Sequence, residues 1–159
     1  MSARSESARC VARAEVRTSA APEAAYAAWA DPAKLAQWFV DRARGEAHAG
    51  ASMTWVWEAF GMEAEYRVLE ADPPHRLVLS SSGQTAPPGV IEITIVRARG
   101  ETVITVVNSG FGEGPEWDEM YEGVRSGWEL TLGLSRVYLE RYFGRPKRSF
   151  LQMQPADVD

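Results

Sequence analysis

The pattern of apolar and polar positions changes its period along the chain. Near the C-terminus, from residue 116 to 143, apolar side chains recur every three or four residues, which is the spacing of one helix face. Acidic residues occupy the first turn, where they oppose the positive end of the helix dipole, and Gly144 and Pro146 follow the last turn. A helix of this length is not stable alone in water. We therefore expect it to pack on a surface that the rest of the chain builds.

Upstream of this helix the period is two, as expected of half-buried β-strands. Turn residues such as Asp72-Pro73-Pro74 and Arg99-Gly100 separate the alternating segments. Because consecutive strands joined by turns pair antiparallel, we expect an antiparallel sheet of about six strands. The predicted strands are 10–18, 53–58, 63–69, 76–81, 90–97 and 102–109.

Two short helices are predicted between the first and second strands, at 22–30 and 32–38. Pro22 and Pro32 stand in their first turns, and Asp31 precedes the second as its cap. Tyr26 and Trp29 share one face of the first helix. Helices this short cannot build a core, so we interpret them as a lid or corner piece. The order of strand, short helices, strands and long helix predicts an α+β fold.

Length and composition predict one domain at residues 10–144, between a disordered segment 1–9 and a polar tail 145–159. A net charge of −5 argues against a nucleic-acid-binding surface. No apolar run approaches the roughly 20 residues of a membrane span, and residues 1–9 lack the apolar core of a signal peptide. The single cysteine, Cys10, excludes an internal disulfide and a cysteine-based zinc site. We therefore predict a cytoplasmic protein.

The aromatic residues have two interpretations. The six tryptophans are many for 159 residues, and most of them lie on faces predicted to point between sheet and helix. They could wall an apolar ligand cavity, or they could simply fill the core, as large aromatic residues usually do. Asn108, at the end of a predicted strand, could orient the polar end of a ligand or only terminate the strand.

Several linked motifs resemble one family. They are Pro22-Glu23 with Tyr26 and Trp29, Asp31-Pro32 with Trp38-Phe39, the run 70–77, Asn108-Ser109-Gly110-Phe111, and Gly127-Trp128. Over residues 11–142 the chain resembles the bacterial homologues of the activator of the 90-kDa heat-shock-protein ATPase, in the START-like (SRPBCC) superfamily. This resemblance implies a helix-grip fold, in which a curved antiparallel sheet wraps around the C-terminal helix and encloses a cavity. Family members often have His where this chain has Asn108, which argues against a shared acid–base role.

The resemblance favours the cavity interpretation of the aromatic residues. We predict non-catalytic binding of a small apolar or aromatic ligand between sheet and helix. The residues predicted to line the cavity are Trp38, Trp55, Trp57, Tyr66, Asn108, Phe111, Trp117, Met120, Tyr121, Val124 and Trp128.

Two other functions stay open. The resemblance alone suggests a co-chaperone-like module of the stress response, with a chaperone as its partner. An enzyme of cyclase or hydrolase type ranks last, because it would need a polar pair inside the cavity and the sequence offers only Asn108 with nearby Tyr or Glu candidates. No set of Ser, His and acid is visible at a recognisable spacing. His48 and His75 do not stand at metal-ligand spacing, so we predict no metal and no cofactor. A homodimer could form through the short helices or the tail.

Overall fold

The computed structural model describes residues 11–81, 89–110 and 115–145, with only the backbone at 115 and 116. Three predictions fall outside these ranges. They concern the disordered segment 1–9, the cavity residue Phe111 and the tail after Arg145.

Within the described residues, seven strands form one antiparallel sheet, which confirms the predicted fold class. The strands are β1 (Val11–Thr18), β2 (Arg42–Gly45), β3 (Ser52–Trp57), β4 (Met62–Asp72), β5 (Arg76–Ser81), β6 (Val90–Ala98) and β7 (Glu101–Ser109). Their order across the sheet is β1-β7-β6-β5-β4-β3-β2. Consecutive strands from β2 to β7 are therefore neighbours, and the first strand closes the far edge by pairing with β7.

The edge strand β2 is absent from the sequence prediction. It has only four residues, mostly exposed, so it shows no alternation of apolar and polar side chains. Its pairing with β3, from Arg42 opposite Val56 to Gly45 opposite Met53, defines it instead. Gly45 has φ +107°, and a Cβ atom there would lie 2.0 Å from the Ser52 carbonyl oxygen. A glycine is therefore required at this end of the strand.

The helices are α1 (Pro22–Ala30), α2 (Pro32–Leu35) and α3 (Pro115–Val137), and a π-helical turn at Tyr138–Tyr142 continues α3. The predicted helix 32–38 ends earlier than expected. Its start is as predicted, since the Asp31 carboxylate accepts a hydrogen bond from the Ala33 amide at 3.0 Å. After Leu35 the chain turns back toward α1, where the buried Trp38 indole donates to the Ala28 carbonyl oxygen at 3.0 Å. This contact between distant residues leaves no signal in the local periodicity.

The long helix α3 lies against the inner face of the sheet, with β1 as a close neighbour. Its buried positions Trp128, Leu132 and Ser135, and Leu139 in the π-helical turn, are three or four residues apart, so they form one face. Opposite them, the inner faces of the strands are almost entirely apolar. The buried apolar side chains of β3 to β7 in this core are Met53, Trp55, Ala64, Tyr66, Val68, Leu77, Leu79, Ile91, Ile93, Ile95, Ile104 and Val106.

A polar contact attaches the C-terminal end of α3 to the end of β1. The Glu140 carboxylate accepts hydrogen bonds from the Thr18 hydroxyl at 2.8 Å, the Ser19 amide at 3.2 Å and the Arg136 side chain at 3.2 Å. These contacts fix the π-helical turn on the body of the protein. None of the helices in the described ranges combines the length and apolarity needed to cross a membrane.

Candidate functional site

A partly open cavity of about 190 Å³ lies between the sheet and α3. Two adjacent strands, the long helix and the turn after α2 supply its walls. Phe39, in the turn after α2, is one lining residue. The others are Trp55 and Trp57 of β3, Met62 and Tyr66 of β4, and Val124, Gly127, Trp128 and Thr131 of α3. None of these described lining residues carries a charge, so the cavity is apolar apart from a few hydroxyl and indole N–H groups.

The periodicity of each element explains why these side chains meet. Trp55 and Trp57 are two residues apart on β3, so both project to the inner face. Trp55 is paired across the strands with Ala64, whose small side chain leaves room beside the indole. The Tyr66 ring lies next to it, with the two ring centroids 4.5 Å apart.

Phe39 is the centre of the aromatic cluster. Its ring centroid lies 5.3 Å from that of Trp55 and 5.4 Å from that of Trp57, both in edge-to-face arrangements. It also lies 6.2 Å from Trp128 on the helix. Offset and edge-to-face contacts of this kind stabilise a fixed arrangement of rings. Phe39 therefore holds together the two walls that strand and helix contribute.

A buried hydrogen bond orients the helix wall. The Trp128 indole N–H donates to the Asn108 Oδ1 atom at 3.1 Å. Asn108 is fully buried, and its amide nitrogen faces the carbonyl oxygens of Val90 and Ser109 at 3.4 and 3.3 Å. Because an indole N–H only donates, it determines which side of the amide faces the helix. Asn108 thus lies behind the wall and fixes Trp128.

Two polar groups of the β3–β4 wall make no hydrogen bond to any residue that the structure describes. The Trp55 Nε1 atom is buried, and no described residue supplies a hydrogen-bond acceptor for it. The Tyr66 side chain is only 2% exposed, and its hydroxyl makes no hydrogen bond to a described residue. Burial raises the pKa of the Tyr66 phenol above its ordinary value, so the hydroxyl keeps its proton at neutral pH.

Five of the eleven residues predicted to line the cavity do so, namely Trp55, Trp57, Tyr66, Val124 and Trp128. Whether they contact a ligand stays a prediction.

The other described residues of the predicted set lie elsewhere. Trp38 is buried behind Phe39 and stacks on it with centroids 5.2 Å apart. Trp117 and Tyr121 are half-buried on the N-terminal turns of α3, beyond the lining residues. Met120 is 43% exposed and is not among the lining residues. Among the described residues, these four and Asn108 do not line this cavity, and their predicted contact with a ligand stays a prediction.

The sequence prediction missed four lining residues, Phe39, Met62, Gly127 and Thr131. Gly127 and Thr131 fall at helical spacing from Val124, which could have indicated them. Phe39 stands in a non-periodic turn, and Met62 follows a short 3₁₀ turn at Glu58–Phe60 that resets the alternation. Sequence patterns carry little signal for such positions.

The histidines lie outside this site. His48 and His75 are both exposed, and His48 approaches Glu46 at 3.5 Å. In the part of the chain that the structure describes, no three His, Cys, Asp or Glu side chains come together as a metal site would require.

Solved structures similar to this one share its fold. The solution structure of the Aha1 dimer from Colwellia psychrerythraea is 19% identical, with a TM-score of 0.73 over 84% of this chain and 98% of that chain. Protein MLL2253 from Mesorhizobium loti is 20% identical, with a TM-score of 0.72 over 83% and 98%. DynU16, from the dynemicin biosynthetic locus, is 25% identical, with a TM-score of 0.70 over 87% of this chain and 49% of that chain.

The family assignment comes from sequence. No curated protein was found as a relative of this chain. The family model described as "Activator of Hsp90 ATPase homolog 1-like protein" matches residues 19–139, which include both short helices, most of the sheet and all of α3. The chain therefore belongs to the family of Activator of Hsp90 ATPase homolog 1-like proteins.

Proposed function

We propose that this protein binds a small aromatic ligand in the cavity between β3, β4 and α3. The observation that carries the proposal is an aromatic wall around an open volume of about 190 Å³. Well-packed interiors contain few voids larger than a water molecule. A space of this size between rings that could have closed on each other therefore supports a binding role.

The volume limits the size of the ligand. An apolar cavity of about 150 Å³ is known to take up benzene, whereas sites for drug-sized molecules begin near 300 Å³. At about 190 Å³ the cavity fits one aromatic ring, or two fused rings if the opening accommodates part of the molecule. This is smaller than the several hundred Å³ usual for larger ligands.

Binding can be followed by NMR on the indole N–H groups of the cavity tryptophans. We expect benzyl alcohol and 2-naphthalenemethanol to shift the resonances of Trp55, Trp57 and Trp128, and 9-anthracenemethanol to leave them unchanged, because three fused rings exceed the volume. Saturable shifts confined to these indoles would support the proposal. Absence of saturable shifts with every compound would contradict it.

A matched pair of helix variants locates the binding site. Gly127 lines the cavity and Gly133 does not, yet a Cβ atom at either position would meet nothing within 4 Å and neither glycine has a positive φ. Gly127→Leu should fill part of the cavity and abolish binding, whereas Gly133→Leu should retain it. Both changes favour the helix to a similar extent, so equal loss of binding in the two variants would place the ligand elsewhere.

Family membership supports a second candidate, a co-chaperone-like module. If this is the function, adding the protein should raise the ATPase rate of a bacterial 90-kDa chaperone. Gly127→Leu would separate the two candidates, because filling the cavity should leave an effect through the protein surface intact. No change in the ATPase rate at high protein concentration would remove this candidate.

A further inference from the structure

The polar groups on the cavity wall define the chemistry of the ligand more closely. Trp55 and Tyr66 lie side by side, and neither the indole N–H of the first nor the hydroxyl of the second has a partner among the described residues. Buried N–H groups in native proteins nearly always have a partner, so the unpaired N–H of Trp55 calls for an explanation. The Tyr66 hydroxyl beside it is not fully covered, so a ligand in the cavity can reach it.

The type of group that would satisfy this wall follows from its donors. An indole N–H can only donate, and a phenol O–H is free to donate. The matching group is therefore an acceptor, such as a carbonyl or ether oxygen. The Trp55 N–H is itself covered by protein atoms, so the Tyr66 hydroxyl is the group of the two that we assign to contact with a ligand.

The cavity wall has no charged side chain among its described residues, and this limits the charge of the ligand. None of the described lining residues is Lys, Arg, His, Asp or Glu. A charged ligand group would lose its hydration here without gaining a counter-ion, at a large cost in free energy. The part of the ligand that these walls enclose is therefore neutral. The ring-lined walls favour a planar molecule, which can stack on them.

We propose that the cavity selects neutral, planar aromatic molecules that carry a hydrogen-bond-accepting oxygen, such as aryl ketones, and that the Tyr66 hydroxyl donates to this oxygen. The inference rests on the proposed function, since it concerns the same cavity. It adds a ligand class and a residue that distinguishes between ligands of equal shape.

Two probes of nearly identical shape test this selectivity. Acetophenone carries a carbonyl oxygen where α-methylstyrene carries a methylene group. The affinities of both are measured by NMR titration for the wild-type protein and for Tyr66→Phe, which removes only the hydroxyl. Comparing the ratio of affinities between proteins cancels the different hydration of the two probes.

We expect Tyr66→Phe to weaken acetophenone binding about two- to tenfold, the usual range for one neutral hydrogen bond, and to leave α-methylstyrene binding unchanged. Tyr26→Phe is the matched control. Tyr26 is also a buried tyrosine whose hydroxyl has no partner, but it does not line the cavity. Its substitution should leave both affinities unchanged.

Each outcome decides a different point. If both probes bind and Tyr66→Phe leaves their ratio unchanged, the assignment of Tyr66 is wrong while ligand binding stands. If neither probe binds the wild-type protein, the proposed function fails and this inference fails with it. A second readout needs no variant, because only acetophenone should place an oxygen at this wall. Its carbonyl stretching frequency should be lower in the bound state than in an apolar solvent, because the Tyr66 hydroxyl donates to it, and an unshifted frequency would count against the inference.

Discussion

At the scale of single residues, the hydrogen bond between Asn108 and Trp128 determines how one wall of the cavity is oriented. Both side chains are buried, and the indole N–H donates to the amide oxygen at 3.1 Å. A buried donor that loses its acceptor cannot form a hydrogen bond to water instead. The free-energy cost of removing it from water is then not offset by any hydrogen bond. The stability of the protein should depend on this pair more than on most single contacts.

We predict that Asn108→Leu lowers the free energy of unfolding by about 2 kcal/mol, because it leaves the Trp128 N–H buried without an acceptor. Urea denaturation followed by circular dichroism measures this change. The double variant Asn108→Leu/Trp128→Phe should lose less than the sum of the two single losses, since it removes both partners. If the loss of unfolding free energy in the double variant equals the sum of the two single losses, the hydrogen bond does not stabilise the protein.

Sequence patterns predicted part of the site at this scale. Alternation along β3 and β4 placed Trp55, Trp57 and Tyr66 on the face toward the helix, because one face of each strand is apolar. The prediction that this face walls a cavity came from the family resemblance. The hydrogen bond between Asn108 and Trp128 could not be predicted from the sequence, since the two residues meet only after the helix packs on the sheet. For the same reason the sequence did not show whether the Asn108 side chain points into the protein or only terminates the strand.

At the scale of elements, the C-terminal end of α3 depends on the contact between Glu140 and the end of β1. Burial raises the pKa of the Glu140 carboxyl, but hydrogen bonds from Thr18, Ser19 and Arg136 outweigh it, so the pKa lies below its ordinary value. A carboxyl whose pKa is lowered on folding stabilises the protein above its unfolded-state pKa. This contribution is lost as the pH falls through the lower, folded-state value.

We therefore predict that Glu140→Gln is less stable than wild type at pH 7 by no more than about 1 kcal/mol, because the site is partly solvated. The difference should shrink as the pH falls below about 4.5, the ordinary value for Glu, and disappear once Glu140 is protonated. Thermal denaturation between pH 3 and pH 7 measures it. Thr18→Val removes one of the donors and should reproduce part of the effect. A difference that is independent of pH would contradict this account of the contact.

The helix itself was predictable from its periodicity, but this contact was not. In the sequence, Glu140 is one polar residue among many on the outer side of a helix. Its role appears only in the folded chain, where the π-helical turn at Tyr138–Tyr142 brings Glu140 to the end of β1. The turn packs on residues distant in sequence, since Tyr138 stacks on Trp38 and donates a hydrogen bond to Gln37, and no local sequence signal marks it.

At the scale of the whole molecule, the order of elements and the antiparallel sheet follow from the change of period along the chain. The cavity does not. Its volume is the small difference between the space that sheet and helix enclose and the volume of the side chains that fill it. A change of one ring or one methylene group in that balance opens or closes it. Two features affect the cavity volume in this way. Gly127 has no side chain to fill the space, and Phe39 occupies part of it.

The central claim is that a small aromatic molecule occupies this cavity. The most direct measurement is of nuclear Overhauser effects between bound acetophenone and the side chains of the protein. The account predicts that the phenyl protons contact the Val124 methyl groups, the Met62 methyl group and the Trp55 ring. Contacts confined to residues elsewhere on the surface, or none at saturating ligand, would contradict it.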